Sequence, residues 1–334
     1  MAGTHLYTDA GISPRTNLYA ESQMLKYADR VRILDRFSKP YRMPKNKTDT
    51  VKFRRPVPFE AVTTPLAEGA VPTGTTFRYE DVEVQLQQYG DVSYVTDRIE
   101  DFSEDPVLND MTEQHGRNIG RTLEAIDWGV IRGGTSVFYA NSTARANVNT
   151  SISLSKQRAV TRFLKAQKAM KRTTMLAPGM EFATIATEAA YWAVAHTDLE
   201  SDIRNVPGFL SVAQYTSQRS VLDHEIGRIE DVRYVLSPDL DPILAGGSGT
   251  LNGMVSQGGA NVDIYPIVYM GEEAWAEVSL RGRGAVEPKI VPVNQLSIAN
   301  PLGQNGSVGW KTYHAAVILN ELWMARLECG ATDL

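Results

Sequence analysis

The chain has 334 residues, 43% apolar and 22% charged, with a formal net charge of −5. That composition is globular and excludes wholesale disorder, and the length suits about two ordinary domains. There is no apolar run of the roughly 18 residues that a membrane-spanning helix needs, and no apolar signal-peptide core in residues 1–20. The single cysteine, Cys329, excludes an intrachain disulfide framework and fits a reducing cytoplasm.

Taken in chain order, the first feature is a charge imbalance. Residues 1–60 hold 12 Lys and Arg against 6 Asp and Glu, a surplus of +6, while the remainder carries −11. A basic arm on an acidic body points to contact with acidic protein surface or nucleic acid. Met24, Leu25, Tyr27, Val31, Ile33, Leu34 and Phe37 interleave with the charges, so a packed arm is expected rather than a loose tail. Arg30, Arg32, Arg36, Arg54 and Arg55 are expected to meet carboxylates on the same or an adjacent subunit. Residues 19–37 have helical apolar spacing, and Pro40, Pro44, Pro56 and Pro58 then interrupt regular structure.

Residues 56–96 alternate, with Val82, Val84 and Leu86 and then Val92, Tyr94 and Thr96 at period two, which predicts strands. The interval 62–76 is rich in Thr, Pro and Gly and reads as the tip of an extended hairpin. Leu66, Glu68, Val71 and Phe77 are its candidate contacts with another subunit. Residues 105–132 form the clearest predicted helix. Asp105 and Pro106 suit its start, Leu108, Met111, His115, Ile119, Thr122 or Leu123, Ile126 and Val130 recur at helical spacing, and Gly133-Gly134 stop it.

Residues 155–171 read as a second helix, with Val160, Phe163, Leu164 and Met170 inward. Beyond it the chain is expected to alternate strand and helix, with 181–186 before 188–196 and 262–269 before 272–278, as in an α/β domain. The Gly-rich stretch 245–261 lacks the Gly-Lys-Ser/Thr end of a phosphate-binding loop. It is expected to be mobile or to line a symmetry axis, where Gly247 and Gly258 let several copies of the backbone meet.

No constellation reads as catalytic. The five histidines, His5, His115, His196, His224 and His314, are not spaced as metal ligands. Asp239-Leu240-Asp241-Pro242 reads as a turn. Arg54-Arg55 and Arg281-Gly282-Arg283 lack the long basic stripe and aromatic platforms of a nucleic-acid reader. No catalytic residue, cofactor or metal site is therefore assigned.

Several blocks together resemble one family. Asn300 to Glu328, NPLGQNGSVGWKTYHAAVILNELWMARLE, is similar to the C-terminal signature of the major capsid proteins of tailed phages, in the branch of the N-four-type short-tailed phages. Phe53-Arg54-Arg55-Pro56, Pro65 to Pro72, Val84 to Gly90, Val95-Thr96-Asp97 and Asp105-Pro106 follow in the family's order. The resemblance runs from about Tyr19 to Glu328. Asn300 departs from it, because the family more often carries Asp there.

The resemblance implies an α+β Hong Kong 97 capsid fold. The expected parts are an N-terminal arm (1–55), an extended hairpin loop (56–90), a peripheral domain with a long spine helix (91–172 and 285–334) and an α/β axial domain (173–284). It implies a virion shell protein, assembled in the host bacterial cytoplasm as hexamers and pentamers around double-stranded DNA, with only non-specific DNA contact and no membrane. A portal, a separate scaffolding protein and a cement or decoration protein are the expected partners. The retained low-complexity start argues against a cleaved N-terminal scaffolding domain. The absence of Lys between Lys52 and Lys156 argues against covalent cross-linking through the hairpin.

Trp310 is expected to anchor the last long strand against the spine helix near Leu123 or Ile126. Gln304 and Asn305, in the turn Asn300–Gly306, are expected at contacts near the three-fold axes. The alternative readings are an encapsulin-like nanocompartment of the same fold and a soluble α/β enzyme. Particle size separates the enzyme from either shell.

Overall fold

A computed structural model of the chain describes residues 32–57, 59–63, 65, 69, 71, 74–102, 107–172, 189–214, 224–280, 286–293, 296 and 300–334. Its axis is one long helix. A short helix, α1 (Asp97–Phe102), precedes α2 (Val107–Ile131), whose 25 residues span about 37 Å. Its buried stripe is Thr112, His115, Gly116, Ile119, Gly120, Leu123, Glu124, Asp127, Trp128 and Ile131, the three-and-four spacing of an amphipathic helix. The helix closes where Gly133 and Gly134 donate to the carbonyls of Val130 and Ile131.

The N-terminal half of α2 packs against a five-stranded sheet. Its strands are β1 (Lys39–Met43), β4 (Gln87–Thr96), β11 (Trp275–Leu280), β12 (Val286–Val291) and the 14-residue β13 (Asn305–Ile318). β13 is its spine, pairing antiparallel with β4 over Asn305–His314, with β12 over Ser307–Thr312 and with β11 over His314–Ile318. β1 lies parallel on the outer edge of β11. A separate two-stranded ribbon, β2 (Thr50–Pro56) with β3 (Tyr79–Gln85), forms the hairpin limbs, and Val51, Phe53 and Val84 at its root pack with Met43, Val278 and Ala315 of this sheet.

The seven-stranded sheet runs β5 (Val137–Tyr139), β14 (Met324–Cys329), β10 (Tyr265–Met270), β6 (Tyr191–His196), β9 (Val232–Ser237), β8 (Glu225–Ile229), β7 (Phe209–Ser211). Alternate residues face opposite layers. Tyr191, Ala193, Tyr234, Ile267 and Tyr269 join a core with α3 (Leu154–Ala166) and Ile203 of α4 (Glu200–Arg204). Trp192, Val194, Val235, Val268 and Met270 face Trp128 and Ile131 of α2, together with Leu34 and Phe37 of the arm. The arm's anchor is thus part of the core.

The structure corrects several expectations. Residues 191–196 and 275–278, expected within helices, lie in strands. Both are short apolar runs buried without a clear period, which spacing cannot assign. Met170 is 55% exposed because α3 ends at Ala166 and the chain turns through Lys168 at φ 56°. Within 32–37 of the expected arm helix there is one 3-10 turn, Leu34–Phe37. The hairpin limbs begin at Thr50 and end at Gln85, so Arg54 and Arg55 belong to the hairpin. Sheet membership also cuts across the expected domain division. β14 lies between β5 and β10, and β11 lies between β1 and β13.

Candidate assembly interfaces

The basic surplus lies wholly in 32–60, because residues 1–31 hold three basic and three acidic residues. Most of it is matched within the chain. Arg32 pairs with Asp127 and Glu277. On the hairpin limbs, cross-strand register sets Arg54 opposite Asp81, Arg55 opposite Glu80 and Lys52 opposite Glu83. All three ion pairs form, with Arg54 Nε 2.8 Å from Asp81 and Arg55 Nη2 2.6 Å from Glu80. Hydrogen bonding from Arg54 holds the Asp81 carboxyl below its usual range. Lys52 is therefore a limb lysine, raised in pKa first by its bond to Glu83, while the segment 57–78 has none. Arg36 is exposed and has no ion pair among the described residues. Arg30 lies outside the described residues.

Beyond these pairs the hairpin leaves apolar groups uncovered. Phe59, Phe77 and Tyr79 form an aromatic ladder with centroids 5.8 Å and 4.8 Å apart, and Val71 is 93% exposed. Leu66 and Glu68 lie outside the described residues. Beneath the hairpin's root an open groove of about 620 Å³ is lined by Phe53, Val82, Leu322 and Trp323 among others.

The Gly-rich stretch lies against the body and is organised by the fully buried Asp263. That carboxylate accepts the backbone N–H of Ala245 and of Gln257, both at 2.7 Å. Val255 donates to Ala331, and Asp333 to Gly253, tying the loop to the C-terminal residues. Its two singled-out glycines differ. A Cβ on Gly247 would sit 2.8 Å from Val148 O and from Ile264 Cδ1, and 2.9 Å from Val262 O. Gly247 is therefore required by packing within one chain. A Cβ on Gly258 would meet nothing within 4 Å.

The turn before β13 is braced by Asn300. Its side chain donates to Asn305 O at 2.8 Å and accepts from Gln304 N at 3.0 Å, and Gly303 takes φ 68°. An Asn supplies both halves of this brace, whereas an Asp would lack the donor. Gln304 and Asn305 are exposed, and Leu302 is 74% exposed. Trp310 lies buried with Val308 against Ile119 and Leu123, and its Nε1 donates to Asn118 Oδ1 at 3.2 Å. Ile126 is half-buried and outside that cluster, because the stripe continues through Glu124 and Asp127 instead.

The described histidines have structural partners. His196 caps a turn by accepting Asp198 N–H, His115 is buried 3.9 Å from Asp91, and His314 bonds to Asp127. Among the described residues no group of three His, Cys, Asp or Glu side chains could hold a metal, and no helix is long and apolar enough to cross a membrane.

Among the described residues the main features are a long helix under a sheet and a hairpin with uncovered apolar groups. The chain belongs to the phage capsid protein family, whose model matches residues 79–327. It is a major capsid protein with the Hong Kong 97 fold, a component of the virion's icosahedral shell and not an enzyme.

Solved structures agree in fold at low identity. The capsid of Ralstonia phage GP4 has TM-score 0.65 at 12% identity over 89% of this chain and 88% of that one. The cyanophage Pam1 capsid has 0.60 at 14%, over 87% and 89%. The SrpI encapsulin of Synechococcus elongatus has 0.50 at 12%, over 99% and 94%. No curated protein matches the sequence.

Proposed function

We propose that the subunit assembles into hexamers and pentamers by laying its hairpin across a neighbouring copy, closing a shell around double-stranded phage DNA. The observation that carries this is the uncovered aromatic and aliphatic surface of residues 59–79, on a ribbon whose charges are already paired within it. Such a projection gains little as a monomer, and each contact becomes worthwhile when many copies repeat it. Val71 and Phe77, with Leu66 and Glu68 of the tip, are the proposed contacts. Gly258 is placed near the capsomer centre, and Gln304 and Asn305 near the three-fold axes.

The proposed division keeps an arm, a hairpin, a peripheral part built on α2 and β13, and an axial part. The seven-stranded sheet, including β5 and β14, is assigned to the axial part. Membership of the N-four-type branch is proposed from the motif order. Assembly in the host bacterial cytoplasm is proposed with it. A portal, a separate scaffolding protein and a cement or decoration protein complete the proposed set of partners. Contact with packaged DNA is proposed to be non-specific. An encapsulin-like compartment shares the fold, and the match to the phage capsid family model favours the phage reading.

Electron microscopy of particles from the native source is the test. DNA-filled shells with a portal at one vertex are expected. Empty shells around a protein cargo, or a small oligomer, would refute the reading.

A further inference from the structure

The open groove beneath the hairpin's root is bounded by three parts of the fold. One wall is the root itself, with Phe53, Val57 and Val82. The opposite wall is formed by residues 319–323, between β13 and β14, with Leu319, Leu322 and Trp323. Gln167 and Lys168, just past α3, close one side. Trp323 Nε1 donates to Gln167 O at 3.2 Å, and the N–H groups of Leu319 and Asn320 donate to Ala274 O, so the second wall is held in place within the chain. Leu322 is 44% exposed on it.

Most charges around the groove are matched. Lys39 pairs with Glu273, Arg54 with Asp81 and Arg55 with Glu80. Lys168 is exposed and has no ion pair among the described residues. The groove therefore presents apolar walls and one unmatched cation. The hairpin tip presents the complement. Residues 57–77 contain no Lys or Arg, and their charges are Glu60 and Glu68. Glu60 is exposed without an ion pair among the described residues, and it stands between the uncovered Phe59 and Val62. Val62 is 81% exposed and Val71 93%, so these tip residues do not fill the groove of their own copy.

We propose that the groove of each copy receives the hairpin tip of a second copy, with Glu60 directed at Lys168; this rests on the reading of the hairpin as an assembly contact. Tip and groove are different surfaces of one chain, so the contact is heterologous. Repeated head to tail, such a contact closes a ring when the rotation between copies fits a full turn, whereas a self-complementary patch stops at two copies. Hexamers and pentamers are rings of this kind. The seven-residue limbs span about 23 Å, enough to carry the tip away from its own root and toward a neighbour.

The two kinds of contact have separate roles. Apolar side chains entering the groove supply the cohesion, because both surfaces are otherwise left in water. The ion pair at the rim stays partly solvated and selects the docking direction more than it holds the copies together. Reversing either charge therefore slows assembly, and reversing both restores it.

Cross-linking of assembled shells tests the placement. The native Cys329 is fully buried, so a full-length chain carrying Val62→Cys and Leu322→Cys offers two accessible thiols. A short bifunctional maleimide should join its chains into a ladder of up to five or six on a denaturing gel, and neither single variant should give one. Only monomers from the double variant, or Leu322→Cys linked to a different protein, would overturn the proposal. Glu60→Lys and Lys168→Glu should each slow assembly severalfold by light scattering, and the double reversal should recover the rate. A double reversal as slow as the two defects combined overturns the pairing, and this arm decides if the cysteine variant does not assemble. The hairpin's wider role is separable. Loss of shells on deleting residues 64–74, with no ladder, would mean that the tip docks elsewhere, whereas normal shells from the deletion would remove both readings.

Discussion

Replacing Trp310 with Ala tests how the sheet is fastened to the spine helix. Trp310 is 4% exposed and sits in a small cluster with Ile119, Leu123 and Val308, edged by Tyr89, Leu108, Met111 and Ile290. Large-to-small core changes of this kind cost about 3–5 kcal/mol. The upper half of that range is expected because β13 is held on both sides at this residue, by Asp91 of β4 and Pro288 of β12, so the backbone cannot collapse into the space. The lost bond to Asn118 is worth about 1 kcal/mol of the total. Trp310→Phe keeps most of the ring and loses that bond, so about 1–2 kcal/mol is expected. Urea unfolding of the unassembled subunit, followed by circular dichroism, measures both. Ile126→Ala, half-buried and outside the cluster, is the control and should cost less. A Trp310→Ala loss below about 1 kcal/mol, or one matched by Ile126→Ala, would refute the assignment of this contact.

Deleting residues 64–74 should leave a folded subunit that fails to form shells, and normal shells by microscopy would reject the role of the hairpin. Gly247→Ala should cost about 1–3 kcal/mol through overpacking against two backbone carbonyls. Gly258→Ala should leave stability within about 0.5 kcal/mol, so equal effects in denaturant would contradict the geometry. Gln304→Ala and Asn305→Ala should preserve the melting curve of the subunit and make assembled shells dissociate more readily. Unchanged shell stability for both would remove the turn from the interface.

Legibility in the sequence tracked periodicity. The α2 helix was readable because 25 residues repeat one stripe and two glycines end it, and β4 because its apolar residues alternate. The runs Tyr191–His196 and Trp275–Leu280 are too short to show a helical period and are largely buried, so their strand identity comes from the neighbours they pair with. Glu124 and Asp127 were missed because two acids on a helix read as a solvated face. The available signal was their position on the same stripe as Gly120, Leu123 and Ile131. A glycine's purpose was also hidden: Gly247 and Gly258 look alike in a Gly-rich run, and only the surrounding atoms separate them.

The charge pattern held one more readable relation. Lys52, Arg54 and Arg55 on one limb are the cross-strand complements of Glu83, Asp81 and Glu80 on the other. The pattern therefore fixes the register of a ribbon, where opposite charges directly across favour one alignment over a slip. Once these charges are satisfied within the ribbon, they offer little to a neighbour. What remains of the arm's surplus is Arg36, Arg42, Lys45 and Lys47, exposed and with no ion pair among the described residues. Arg42 lies on β1, the sheet's edge, where charged side chains discourage pairing with a foreign strand. In the proposed assembly, cohesion between subunits then falls to the apolar hairpin. A shell built this way should lose less strength on raising salt than one held by the arm's charges, since screening acts on exposed ion pairs and leaves apolar contacts intact. Shells that fall apart on moving from low to high salt would mean that the arginines of 32–55, and not the aromatic ladder, join one copy to the next.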